Sequence, residues 1–534
     1  MTTADIFEQM LCIQFKDEFE KRRSLAQLAR TCRRFSRYAL PALWKHLPSL
    51  RPLLSLLAPL RPTRIDANGD ETPRWQHSLG HAPSERDLGY TWAFDGPIAP
   101  EGDLPLRFTQ YASFVRVLNI HRFPQFNPSV FTHLEDAGLH GPLLPALTNL
   151  DCERTPLSAI AAKWVVGPSL LSFSITPHID PLMYMPFPPS GYRPRESITD
   201  GPMLGLDTLV TRLQSSSPNI ETLRVFDNVS HWALHSILAF TNLRIVDISV
   251  WHDCDTDVLR SLATLPHLHT LRLSVRAFVG ESTPLPGGFA HLECLAISGN
   301  QEAIARAAEM IVPPGLCALW ISGVFDYREV MRRTLYPLCN RYSSTLTEVH
   351  LECTNLYGFD LMEILDPLLP VSNLRVCMLS TEMGMVSFTD ADLMVLAARW
   401  PALSVFSIMC GKGRALPTLQ GIADFADACP NLTQISLEQI AWPLIPEAEE
   451  GEHVHRKNKL KLLTLRRGAN VGNIVRTDPR AAALVVDRLF PALDVQSSKA
   501  MIEPTRPVTW AMFWEKVLNV TEEVQKTRRV IDNA

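Results

Sequence analysis

An α/β repeat solenoid is the fold class that this 534-residue sequence predicts, and three observations carry the prediction. The first is a triplet, in which an apolar residue is followed three positions later by a second and two positions after that by a third. Thirteen such triplets occur: Val115-Leu118-Ile120, Leu147-Leu150-Cys152, Leu170-Phe173-Ile175, Ile220-Leu223-Val225, Leu243-Val246-Ile248, Leu268-Leu271-Leu273, Leu292-Leu295-Ile297, Leu316-Leu319-Ile321, Leu346-Val349-Leu351, Leu374-Cys377-Leu379, Leu403-Phe406-Ile408, Leu432-Ile435-Leu437 and Leu460-Leu463-Leu465. The second is their period: from the fourth onward the first members lie 23, 25, 24, 24, 30, 28, 29, 29 and 28 residues apart. The third is punctuation, because prolines stand just before many triplets, as in Ser217-Pro218-Asn219-Ile220 and Cys429-Pro430-Asn431-Leu432. Proline lacks a donor and restricts the residue before it, so it ends one helix and starts the next extended segment. An L-x-x-L-x-L core at this period is the sequence sign of a leucine-rich repeat solenoid, a horseshoe whose short strands come from the triplets.

The elements follow in chain order. Residues 1–60 hold no triplet and read as a helical module, with Leu25, Leu28, Ala29, Cys32 and Phe35 at helical spacing and Leu40, Leu43 and Trp44 continuing after a break. Residues 61–105 are rich in proline, glycine and polar residues without a sustained period, which predicts a linker or irregular insertion. The solenoid is expected over 106–470, with a proline-rich loop at 177–202 followed by a helix from Leu204 to Ser215. Helices are also expected at Asp360–Leu365 and Asp390–Arg399, on the returning halves of the longer repeats. Asparagine does not recur after the triplets, so an internal asparagine ladder is not expected. Residues 471–534 read as a helical cap, in the segments Pro479–Asp494 and Trp510–Arg529, since an uncapped solenoid exposes its core.

Composition narrows the function classes. A formal net charge of −5 is small for this length and gives no general attraction to nucleic acid or anionic membrane. The eleven cysteines are scattered, which excludes C-x-x-C motifs, and Cys152 and Cys377 at triplet positions read as small buried hydrophobes. Met1 to Gln14 lacks the basic start of a secretory signal, and Leu47 to Leu60 is too short and too broken by proline to span a bilayer. A cytoplasmic or nuclear protein is expected.

Several potential sites read as structure. Trp251-His252-Asp253-Cys254-Asp255 gathers metal-ligand types without a partner cluster, and His453-Val454-His455 lies in a charged loop. Gly411-Lys412-Gly413-Arg414 lacks the frame of a phosphate-binding loop. No nucleophile elbow or His-Glu-x-x-His helix occurs, so neither catalysis nor a metal or cofactor is expected.

The run Ser24-Leu25-Ala26-Gln27-Leu28-Ala29-Arg30-Thr31-Cys32-Arg33-Arg34-Phe35, with Tyr38-Ala39-Leu40-Pro41-Ala42-Leu43-Trp44 after it, resembles the second half of an F-box: an apolar pair, a cysteine, basic residues, an aromatic and a closing Leu-Trp. The family usually begins with Leu-Pro and an apolar helix. Here Ala4 to Leu11 can form an amphipathic helix but has no Leu-Pro opening. The wider layout resembles the F-box and leucine-rich repeat proteins of basidiomycete fungi, whose ending is similar to Ala481 to Leu493. That resemblance implies the substrate-recognition subunit of a Skp–cullin–F-box ubiquitin ligase. Its implied partners are a Skp-type adaptor, a cullin scaffold and an unnamed protein substrate. Leu25, Leu28, Ala29, Cys32, Phe35, Leu40, Leu43 and Trp44 would contact the adaptor, inside a rim of Arg22, Arg23, Arg30, Arg33, Arg34 and Arg37 suited to an acidic, grooved partner. The other readings are an N-terminal cap on the repeats, and an interaction scaffold without a ligase role.

Alternation along a strand puts the residue between the second and third triplet members on the open face. That column reads Arg224, Asp247, Arg272, Ala296, Trp320, His350, Met378, Ser407, Ser436 and Thr464. Two places later the column reads Phe226, Ser249, Ser274, Ser298, Ser322, Glu352, Ser380, Met409, Glu438 and Arg466. Arg224, Asp247, Arg272, Trp320, His350, Glu352, Met378 and Glu438 are the expected substrate-binding residues. Trp320, His350 and Met378 form an anchor among small polar residues, unless Trp320 leans sideways and only fills space.

Overall fold

The computed structural model describes residues 18–65, 71–73, 90–96, 98, 104–121, 125–153, 163–176, 206–226, 236–281, 283–285, 287–324, 328–353, 356–442, 458–469, 477–501 and 508–532. The chain divides into two compact units, Met1–Trp251 with Leu265–Leu268, and His252–Thr264 with His269–Ala534. The expected helix at Ala4–Leu11, the loop 177–202 and the pair His453 and His455 lie outside the described residues.

The first unit opens with a helical hairpin, Glu18–Thr31 and Arg33–Lys45, broken at Cys32, whose backbone is extended with φ −158°. Leu25, Ala39 and Ala42 form its core, with Leu28, Ala29 and Leu43 packed against it. The second helix runs directly into strand β1 (His46–Leu47), and β1 pairs in parallel with β5 (Val117–His121), aligning Leu47 with Leu118. The repeat ladder therefore begins inside the segment read as a separate module, because Leu47 supplies one buried residue where a whole triplet was sought. Between them stand β2 (Leu60–Ile65), β3 (Glu71–Pro73) and β4 (Tyr90–Phe94), with β3 and β4 each antiparallel to the central β2 and β6 (Gln125–Phe126) added to β4.

Within the linker or irregular insertion expected over 61–105, the described residues include strands of a small sheet. Thr63, Ala93 and Phe94 are buried there, and the Arg51 guanidinium lies 3.7 Å over the Trp92 ring. Strands of two to six residues carry too few alternations to register as a period.

From β5 the ladder continues through β7 (Asn149–Glu153), β8 (Ser172–Thr176), β9 (Thr222–Val225) and β10 (Ile245–Asp255), each parallel to the last. The register aligns the triplets: Leu118, Leu150, Phe173, Leu223 and Val246 stand opposite one another in turn. The helix expected from Leu204 is found at Leu206–Ser216.

The second unit repeats the pattern with β11 (Thr270–Val279), β12 (Cys294–Asn300), β13 (Ala318–Val324), β14 (Glu348–Cys353), β16 (Val376–Ser387), β17 (Val405–Lys412), β18 (Gln434–Ala441) and β19 (Leu462–Ala469). All pair in parallel and in that order, while the short β15 (Tyr357–Asp360) adds to the far end of β16. Leu271, Leu295, Leu319, Val349, Cys377, Phe406, Ile435 and Leu463 share one row, and every one is buried. A fully buried aliphatic side chain of this size is worth roughly 1.5–3 kcal/mol against exposure, so the repeated row is the fold's main driving force. Burial drives the Cys377 thiol up to about 12 and raises Cys152 as well, so both are small core residues.

Helices cover the inner side of this sheet. Gln301–Met310 starts on Asn300, whose side chain accepts from the Ala303 amide, and Asp390–Arg399 starts on a Thr389/Asp392 capping box. The Asp390 carboxylate reaches the next repeat, accepting from Thr418 N and Oγ1 at 2.7 Å each, and Thr418 caps the helix Leu419–Ala428.

A hydroxyl link replaces the absent asparagine ladder. Thr148, Thr347, Ser404 and Thr433, each directly after a first triplet member, donate to the carbonyls of Arg116, Cys317, Arg375 and Ser404 one rung back.

The last rung is covered by the helices Pro479–Leu489, Val495–Ala500 and Val508–Asp532. Trp510 Nε1 donates to Leu465 O, and the Leu463 amide donates to Ser498 Oγ. Glu522 ties two of these helices together: Lys499, Lys526 and Gln496 surround its carboxylate and hold its pKa at about 2, against an ordinary value of 4.5. A depressed acid stabilises the fold above its unfolded value and loses that contribution as pH falls through the folded one. Glu522→Gln is therefore expected to melt below the wild type at pH 7, with the gap closing between pH 4.5 and about 2. Thermal melts of both chains across that range check it; a constant gap would refute it.

Candidate functional site

The inner rows face the helices, since a Cβ at Gly323 would meet Ile304 of the helix Gln301–Met310. The alternate positions therefore form an open face, and in the second unit they gather into one cluster. Register places Arg272, Ala296, Trp320, His350 and Met378 opposite one another on β11, β12, β13, β14 and β16. The Trp320 and His350 rings stack with centroids 4.4 Å apart and planes at 26°. On the other side the Arg272 guanidinium carbon lies 4.9 Å from the Trp320 centroid. Strands are about 4.8 Å apart, so Arg272 spans two rungs to reach the indole. The small Ala296 between them leaves the space.

The stack ends on a carboxylate. His350 Nε2 lies 2.6 Å from Glu348 Oε1, with both side chains half-buried. Guanidinium, indole, imidazole and carboxylate are thus joined in sequence from β11 to β14. Trp320 does lean sideways, onto its neighbour, yet its Nε1 is buried without a hydrogen-bond partner. Such a donor costs roughly 1–3 kcal/mol while unsatisfied. The field of the cluster reaches Cys294, whose thiol is raised by burial, lowered by Arg272 and raised again by Glu348.

The row beside this stack is small and polar. Ser274, Ser298, Ser322 and Glu352 stand opposite one another on β11, β12, β13 and β14, and Glu352 is exposed. Arg276, also exposed, flanks Ser274 two places beyond it, as Arg272 does two places before. Glu348 and Arg276 are absent from the columns read off the sequence. Glu348 lies two places before the first column and Arg276 two places beyond the second, and the alternation of the strand continued both ways would have reached them.

Other expected residues are placed differently. Arg224 is exposed and stands opposite Asp247, while Asp247 is buried at 7% exposure and Glu438 at 8%. Of the helical candidates, Leu25 is the centre of the hairpin core, with Leu28, Ala29 and Leu43 packed against it. Leu40 is half-buried, and Trp44 stacks on Tyr111 at 4.9 Å and 12°. Phe35 is 45% exposed and Cys32 is exposed as well. Arg23, Arg30, Arg33, Arg34 and Arg37 are exposed beside them.

The motifs set aside as structure have structural tasks. Asp255 caps the helix Thr256–Leu262 by accepting from the Asp257 amide, and Cys254 is buried with its thiol raised to about 12. At Gly413 a Cβ would fall 2.2 Å from the Val386 carbonyl oxygen, so that glycine serves close strand approach. Among the described residues no group of three or more His, Cys, Asp or Glu is placed to hold a metal ion, and no helix is long and apolar enough to cross a membrane.

No family model and no curated protein matches this chain. Among solved structures, the APL1 leucine-rich repeat domain is similar at 12% sequence identity and a TM-score of 0.26, over 68% of this chain and 76% of that one.

Proposed function

We propose that this chain is a protein-binding receptor that holds a target protein on the open face of its repeats, with no chemistry of its own. The observation that carries the reading is the Arg272–Trp320–His350–Glu348 stack, drawn from β11, β13 and β14. A partly buried tryptophan and arginine amid small polar residues has the composition of a binding hot spot. Nothing in this reading requires a metal, a cofactor, nucleic acid or a membrane.

The reading extends to a substrate-recognition subunit of a Skp–cullin–F-box ubiquitin ligase, with the N-terminal hairpin on the Skp-type adaptor and the cullin beyond it. Exposed Phe35 and Cys32 with five exposed arginines support an acidic, grooved partner. Bivalent tethering would then raise the target's effective concentration near the transferring enzyme. The hairpin core and the Tyr111 stack favour the second reading, a scaffold without a ligase role, because Leu25 and Trp44 are engaged internally.

Co-purification with the Skp adaptor separates the two. Phe35→Glu together with Arg34→Glu is expected to abolish the association while the melting temperature is unchanged, since both side chains are exposed. Absence of adaptor from the folded wild type, or its retention by the double variant, removes the ligase role and leaves the scaffold.

A further inference from the structure

The serine row gives the partner a chemical description. Ser274, Ser298 and Ser322 lie side by side on three strands, and their hydroxyls bond to no protein group among the described residues. On one side the row is walled by the Trp320–His350 stack. One end is positive, where the exposed Arg276 stands two places beyond Ser274 on β11. The other is negative, where Glu352 continues the same row on β14, exposed and joined to no described residue. Three strand steps separate the ends, about 14 Å at the usual spacing. An extended peptide rises about 3.3 Å per residue, so it covers that span in about four residues.

We infer that this row binds an extended segment of a partner protein bearing an acidic and a basic side chain about four residues apart. The acidic group sits on Arg276, and the basic group sits on Glu352. The serine hydroxyls serve the backbone polar groups between, and the Trp320–His350 wall packs against the intervening side chains. Phosphopeptides fit less well, since the described residues of the row and its wall hold no cation beyond Arg276 and the stacked Arg272, and Glu352 repels a second negative group. The inference rests on the protein-binding reading above and specifies its ligand.

The test uses the full-length chain and fluorescein-labelled ten-residue peptides carrying one Asp and one Lys, separated by two to six positions in both orders. Fluorescence anisotropy is expected to show tightest binding near a separation of four. Glu352→Lys should weaken that peptide at least about tenfold through like-charge contact, and replacing the peptide lysine by Glu should restore binding to the variant. Circular dichroism confirms that the exposed substitution leaves the fold intact. Binding that ignores separation, or that survives Glu352→Lys, overturns the inference. So does a blank array with wild type. If a cellular protein is nevertheless retained by wild type and lost from Trp320→Ala, the receptor reading stands without this ligand; if none is, both fall.

Discussion

Trp514→Ala is expected to destabilise the second unit by about 3–5 kcal/mol, the range for removing a buried tryptophan. Trp514 is 1% exposed and stacks parallel to Trp510 at 6.1 Å, while Trp442 meets both rings edge-on at 6.2 and 5.7 Å. Trp510 in turn donates its indole N–H to the Leu465 carbonyl on the last strand, at 3.1 Å. Loss of the Trp514 ring loosens the helix Val508–Asp532 from β19, whose outer edge then offers unpaired backbone groups to other chains. Denaturant unfolding should show a lower midpoint, and light scattering should show association well below it. Met512→Ala on the same helix is the control, since Met512 is half exposed and a change there falls within about 0.5 kcal/mol. Equal effects of the two substitutions would refute the assigned role of the aromatic cluster.

Gly323→Ala comes next, at about 1–3 kcal/mol from overpacking. A Cβ there would lie 2.5 Å from the Gly299 carbonyl oxygen and 2.6 Å from Ile304 Cδ1. Gly299 stands opposite Gly323 on the neighbouring strand, and a Cβ at Gly299 would meet the Val275 carbonyl at 2.3 Å. One carbon therefore pushes against the neighbouring backbone on one side and the buried Ile304 side chain on the other, and the backbone contact cannot be relieved by a rotamer change. Gly315→Ala gives the contrast: nothing lies within 4 Å of a Cβ there, and the substitution should be neutral or raise the melting temperature. Thermal melts of the pair check the difference.

The repeat core was legible because it depends on a local spacing. Second and third triplet members fall in a strand in all thirteen cases, and alternation then correctly turned Arg272, Trp320, His350 and Met378 to one face. The small sheet of β2, β3 and β4 was not legible, since its pairing joins segments far apart whose own patterns are too short to read. Leu47 escaped for a related reason: a two-residue strand has no period, and only its alignment with Leu118 makes it a rung. The helical candidates shared one amphipathic stripe, yet hairpin packing buried Leu25 and left Phe35 outside.

By itself the sequence determined the thirteen triplet rungs, their register and the side of the sheet on which the triplet residues lie. These follow from apolar residues that must all leave water together at a fixed interval. Tertiary structure decided which residues of the open face are usable. It set Arg272 over Trp320 across Ala296, and it buried Asp247 and Glu438. It also aligned three serines between opposite charges. Distances between side chains on different strands depend on what each neighbour leaves unfilled, and no spacing along one chain contains that information.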